Sequence, residues 1–78
     1  MNKISKNLKR LRLQKKLTQE QVADALGVTS QTISRWERNT TYPDITLLPE
    51  IALLYCVTVD DLFREDSAAY DNYVQRLA

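Results

Sequence analysis

Residues 17–37 read LTQEQVADALGVTSQTISRWE, and the fold turns on how this stretch divides. Leu17 and Thr18 are followed by Val22, and Val28 and Thr29 are followed by Ile33 at the same spacing. In each case the threonine is placed as a helix N-cap, its hydroxyl accepting from the backbone N–H of the second or third helical residue. The apolar residue before it and the one four after it make a hydrophobic staple. Gln21, at the third helical position, is placed to complete a capping box. The helix begun at Thr18 runs to about Leu26, with Val22, Ala23 and Leu26 inward. Gly27 follows as the natural left-handed residue beyond a helix end. Only Gly27 and Val28 separate Leu26 from the next cap, Thr29.

Two helices joined by so tight a turn form a helix-turn-helix arrangement. The same staple recurs at Val57, Thr58 and Leu62, with Asp61 at the third helical position, where the helix dipole favours an acid. Three occurrences predict helix starts at 18, 29 and 58. Upstream, Ile4, Leu8 and Leu11 form one stripe of an amphipathic helix over residues 4–16, with Leu13 off it and partly exposed. The third helix is expected to stop near Arg38. Asn39 is able to turn left-handed there, and NTTYPD (39–44) forms a loop. A fourth helix carries Leu48, Ile51, Ala52 and Tyr55 inward. Thr46 is its expected N-cap, which puts Pro49 at the third position, where a missing N–H costs nothing. The fifth is short, Val59 to about Phe63. Tyr70, Tyr73, Val74 and Leu77 fall at i, i+3, i+4 and i+7. That pattern leaves open a sixth helix, a dimer arm or the start of a further domain. The expectation is an all-α, five-helix domain over residues 1–65, followed by a tail over residues 66–78.

Composition narrows the chemistry. The chain has 78 residues, one glycine, one cysteine and no histidine. That length is one domain, burying only about 60% of its unfolded surface. The lone Cys56 makes no internal disulfide, so a reducing cytosol is the expected location. The basic N-terminus is not followed by the apolar stretch of a secretory signal. The longest apolar run, residues 51–57, is far short of a membrane span. A structural zinc site needs four Cys or His ligands, and a Ser–His or Cys–His nucleophile pair needs a histidine. A single glycine cannot build a phosphate-cradling loop. Asp60 and Asp61 are better read as helix-start charges than as an acid–base pair. No enzyme, metal or cofactor is expected.

The net charge of +1 hides an asymmetry. Residues 1–40 hold nine Lys/Arg and three Asp/Glu, giving +6; residues 41–78 hold two and seven, giving −5. A basic half fits a polyanion, an anionic membrane surface or simply a solvated basic face. A membrane-surface role for the first helix is disfavoured, because Leu8 and Leu11 are needed for the core.

The third helix separates these readings. At about 100° per residue, with Ser30 at zero, Ser34, Arg38, Gln31 and Arg35 fall between about 40° and about 140°. Thr32, Trp36 and Ile33 fall between about 200° and about 300°, and Glu37 lies on the boundary near about 340°. The polar arc holds hydrogen-bonding side chains and two cations, with no acid. Glutamine pairs in two-pronged fashion with adenine, arginine with guanine, and serine or threonine with either.

The segments LTQEQVADALGV (17–28) and TISRWE (32–37), at this spacing, resemble the phage Cro and repressor type of helix-turn-helix, the xenobiotic-response-element family of bacterial regulators. The resemblance covers residues 4 to 63. It implies a five-helix domain that binds double-stranded DNA, commonly as a homodimer, with the third helix in the major groove. By position it implies base contacts from Ser30, Gln31, Ser34 and Arg35. It implies phosphate contacts from Gln19, Thr29, Arg38 and Asn39. Arg12 matches a family arginine that pairs with the glutamate equivalent to Glu37, so Glu37 is assigned to the scaffold. Breaking one partner of such a buried pair would cost about 3–5 kcal/mol. The runner-up use of the fold is an antitoxin or other module that binds a protein partner. The chain departs from the family at Asn39 and at Cys56, where glycine is frequent. At Cys56 two readings stand open, a strained left-handed residue costing about 1 kcal/mol and, as the alternative, a plain buried thiol, which is favoured over a redox sensor.

Overall fold

Thr18, Thr29 and Thr58 each cap a helix in the computed structural model, which describes residues 4–64. Each has extended backbone, and its hydroxyl accepts the N–H of the third helical residue at 3.0 to 3.1 Å. Gln21 closes the first capping box by accepting the Thr18 N–H at 2.8 Å. Asp61 closes another by accepting the Thr58 N–H, also at 2.8 Å. The Thr58 backbone N–H, aided by its hydroxyl and by the nearby Arg64 guanidinium, holds the Asp61 carboxyl below the usual carboxylate range. The helices are α1 (Ile4–Gln14), α2 (Gln19–Leu26), α3 (Ser30–Glu37), α4 (Leu48–Leu54) and α5 (Val59–Leu62), with a 3-10 turn at Ile45–Leu47. No strand occurs among the described residues. The periodic stretch Tyr70–Leu77 and the tail to which it belongs lie outside them.

The first four helices end alike. Lys16, Gly27, Asn39 and Cys56 have φ of 57°, 72°, 63° and 59°. Each left-handed residue turns the next N–H back onto the carbonyl five residues before it. Leu17 reaches Arg12, Val28 reaches Ala23, Thr40 reaches Arg35 and Val57 reaches Ala52, at 2.9 to 3.1 Å. This is the Schellman closure. Leu17, Val28 and Val57 therefore close one helix and staple the next, which is why Val-Thr and Leu-Thr mark the joints.

Three expectations change. Helix α1 ends at Gln14 and not Lys16, because Lys16 takes the left-handed position. Thr46 does not cap α4. Asp44 caps the 3-10 turn instead, its Oδ1 accepting both the N–H and the hydroxyl of Thr46 at 2.9 Å. A carboxylate is the stronger acceptor, and α4 then starts at Leu48 with Pro49 in its first turn. Cys56 is not buried: as the left-handed residue after α4 it is exposed.

The core gathers one face of every helix. Ile4, Leu8 and Leu11 of α1 meet Val22 and Ala23 of α2 and Ile33 and Trp36 of α3. Ile51, Ala52 and Tyr55 close it from α4, and Leu62 from α5. Leu48 is only half-buried. A contact not anticipated from sequence ties the two ends of the described chain. Asn7, buried on α1, donates through Nδ2 to the carbonyls of Leu62 at 2.9 Å and Arg64 at 2.6 Å.

Candidate nucleic-acid interface

Helix α3 is anchored along one side. Ile33 and Trp36 are buried, and Thr32 is turned toward the Thr29 cap, the two hydroxyls 2.9 Å apart. What remains outward is the arc expected from the angles. Ser30, Gln31, Arg35 and Arg38 are exposed and Ser34 is half-exposed. The side chains of Ser30, Gln31 and Arg35 have no hydrogen-bond partner among the described residues. Arg38 lies back along the helix, its Nε donating to the Ser34 carbonyl at 3.3 Å. Asn39, left-handed and exposed, ends the surface.

The tight turn at Gly27 and Val28 sets the start of α3 against the end of α2, while Gln19 at the start of α2 lies beside Glu37 at the end of α3. Thr29 combines its cap with an exposed position. Gln19 is only half-exposed, because its Nε2 donates to Glu37 Oε1 at 3.2 Å.

Glu37 is withdrawn from the arc. Its side chain is 4% exposed and its carboxylate is gripped by Arg12, Nε to Oε2 at 2.7 Å and Nη2 to Oε1 at 3.0 Å. Arg12 Nη1 also donates to the Leu17 carbonyl at 2.9 Å. The pair joins α1, the α1–α2 turn and α3. Hydrogen bonding to Glu37 raises the Arg12 pKa above its ordinary value; burial opposes this, and the charge of Glu37 adds to it. Tyr55 packs nearby. Its hydroxyl pKa is pushed up to about 12, first by burial and then by the Glu37 carboxylate, with Arg12 opposing. An acid that would repel a polyanion is thereby neutralised inside the scaffold.

The structure thus brings Ser30, Gln31, Ser34, Arg35, Arg38 and Asn39 onto one surface, with Thr29 and Gln19 at its edge. The Gln19–Glu37 contact is not visible from spacing, since the two residues are 18 apart and on different helices. Among the described residues, no helix is long and apolar enough to cross a membrane. No group of three or more potential metal ligands occurs among them either.

A helix-turn-helix family model matches residues 8–62. The chain is 41% identical over 58 residues to the HTH-type transcriptional activator BcrR of Enterococcus faecalis, a match covering 74% of this chain and 28% of that protein. It is 40% identical over 63 residues to the uncharacterized HTH-type transcriptional regulator YqaE of Bacillus subtilis, covering 81% of this chain and 54% of that protein. The chain therefore spans well under two thirds of either relative. Among solved structures, the P22 c2 repressor in complex with a synthetic operator superposes with a TM-score of 0.76 at 24% identity. That match covers 85% of this chain and all of the other, and it is a likeness of fold.

Proposed function

The chain belongs to the helix-turn-helix family, and we propose that it is a sequence-specific regulator of transcription that reads double-stranded DNA with α3 in the major groove. The observation that carries this reading is the outer face of α3. Gln31 and Arg35 stand exposed on a helix whose inner face is locked into the core. Those are the side chains that make two-pronged contacts with adenine and guanine. Ser30 and Ser34 flank them as further base contacts. Gln19, Thr29, Arg38 and Asn39 take phosphates at the edge, and backbone N–H groups at the starts of α2 and α3 assist. The excess of +6 in residues 1–40 supports attraction to a polyanion.

Two copies on a pseudo-palindromic site are the proposed assembly, because single modules of this size bury little DNA surface and paired half-sites multiply specificity. A reducing cytosol is the proposed setting. Selection of bound duplexes from a random pool tests the function. Enrichment of one motif with inverted half-sites is expected, with affinity falling steeply as salt rises. No enrichment, or enrichment unchanged by Gln31→Ala combined with Arg35→Ala, overturns the readout assignment. A complex with a protein partner that survives both substitutions would favour the partner-binding use of the fold. Sedimentation of the chain truncated after Glu65 tests the tail as a dimer element, and equal behaviour of both forms removes it.

A further inference from the structure

We propose that Glu37 is a positioning residue for the DNA-backbone contact at Gln19, so that the ion pair of the scaffold reaches the edge of the interface. The proposal rests on Gln19 being a phosphate contact. Its geometric basis is the sharing of one carboxylate. Glu37 Oε2 accepts from Arg12 Nε at 2.7 Å, while Oε1 accepts from Arg12 Nη2 at 3.0 Å and from Gln19 Nε2 at 3.2 Å. A carboxylate only accepts, so the amide must present its nitrogen and not its oxygen to Glu37. Arg12 is itself held by the Leu17 carbonyl at 2.9 Å, and the Glu37 side chain is 4% exposed. The acceptor is therefore fixed from two sides and cannot follow a moving glutamine.

The consequence lies in what is left over. One Nε2–H of Gln19 is committed inward. The second remains for an outside acceptor, together with the backbone N–H at the first position of α2, which has no acceptor inside the helix. A free glutamine loses rotamer freedom when it closes on a phosphate. One already held by an ionised acceptor has lost that freedom on folding. Glu37 thus acts on DNA through Gln19 without touching it.

The test is a cycle of Gln19→Ala, Glu37→Gln and the double variant, on the full chain. Affinity is read on a random-sequence duplex at one fixed salt concentration, with the folded fraction checked by circular dichroism. A glutamine at position 37 has one acceptor oxygen in place of two, and the two Arg12 donors occupy it. In the wild-type background Gln19→Ala should weaken binding by about 2- to 10-fold, the range of one hydrogen bond. In the Glu37→Gln background it should cost almost nothing further. An equal loss in both backgrounds overturns the proposal and leaves the phosphate contact standing. No loss from Gln19→Ala, with Arg35→Ala still weakening a selected duplex, removes the contact and the proposal together but spares the reading of α3. Failure of the wild type to bind any duplex overturns all three. Should Glu37→Gln not hold the fold, side-chain amide relaxation of Gln19 in the wild type decides. An order parameter near that of rigid backbone, about 0.85, is expected; one below about 0.6 overturns the positioning role.

Discussion

Arg35 and Trp36 are neighbours in sequence and opposites in role. Trp36 is 5% exposed and packs with Ile33 in the core, while the Arg35 side chain is exposed and has no hydrogen-bonding partner among the described residues. The same division runs the length of α3. Its inner face is fully committed to α1, α2 and α4, and Glu37 extends that commitment through Arg12 and Gln19. On its outer face the side chains of Ser30, Gln31 and Arg35 have no hydrogen-bond partner among the described residues. Such a helix can have its outer residues changed without refolding, which is the physical condition for a reading surface whose specificity varies on a constant frame.

Substitutions on the two faces should have opposite consequences. Trp36→Ala should have the largest effect, a loss of about 3–5 kcal/mol in chemical denaturation, because a large aromatic leaves a cavity in a small core. A loss under about 1 kcal/mol would mean that the inner face is not core at all. Arg12→Ala should cost about 3 kcal/mol by leaving the Glu37 carboxylate buried and unpaired, seen as a lower melting temperature. An unchanged melting temperature would remove the ion pair from the frame. Arg35→Ala should do the reverse. Stability stays within about 0.5 kcal/mol, while discrimination at one base pair of the selected site falls by about 1–3 kcal/mol. If Arg35→Ala instead lowers the melting point strongly, the two faces are not independent. Cys56→Gly should raise stability by up to about 1 kcal/mol, relieving the left-handed strain at φ 59°, with DNA affinity unchanged.

A further effect appears only in alkali. Tyr55 holds its proton more tightly in the folded chain, at about 12 against an ordinary 10.0. Its contribution to stability is therefore complete below about pH 10 and is lost as the pH climbs through about 12. Tyr55→Phe should flatten that part of the stability–pH curve. Parallel curves for the two proteins would mean that Tyr55 is not shielded by burial and by Glu37.

Much of the frame was legible because its joints are local. A threonine between two apolar residues at staple spacing predicts both a cap and the helix that follows, and Thr18, Thr29 and Thr58 behave so. Gly27 and Asn39 announce a left-handed turn by residue type. Lys16 and Cys56 take the same conformation with no such signal. They do so because the helix carbonyls of Arg12 and Ala52 draw in the N–H groups of Leu17 and Val57. Ahead of α4 the expected Thr46 cap does not form, because the Asp44 carboxylate, the stronger acceptor, takes the Thr46 N–H and hydroxyl and caps the 3-10 turn that precedes the helix.

The residue pattern alone set the starts of α2, α3 and α5, the apolar face of each helix, and the polar, acid-free arc of α3. Those features follow from hydrogen bonds and side-chain neighbours within about one helical turn, whose geometry the backbone sets. Only the tertiary structure decided that Asn7 would hold the end of α5 from 55 residues away, and that Glu37 would bind Gln19 as well as Arg12. Such contacts exist only after the apolar faces have docked and fixed the distances between helices to within a hydrogen bond's tolerance, and no spacing along the chain encodes that distance.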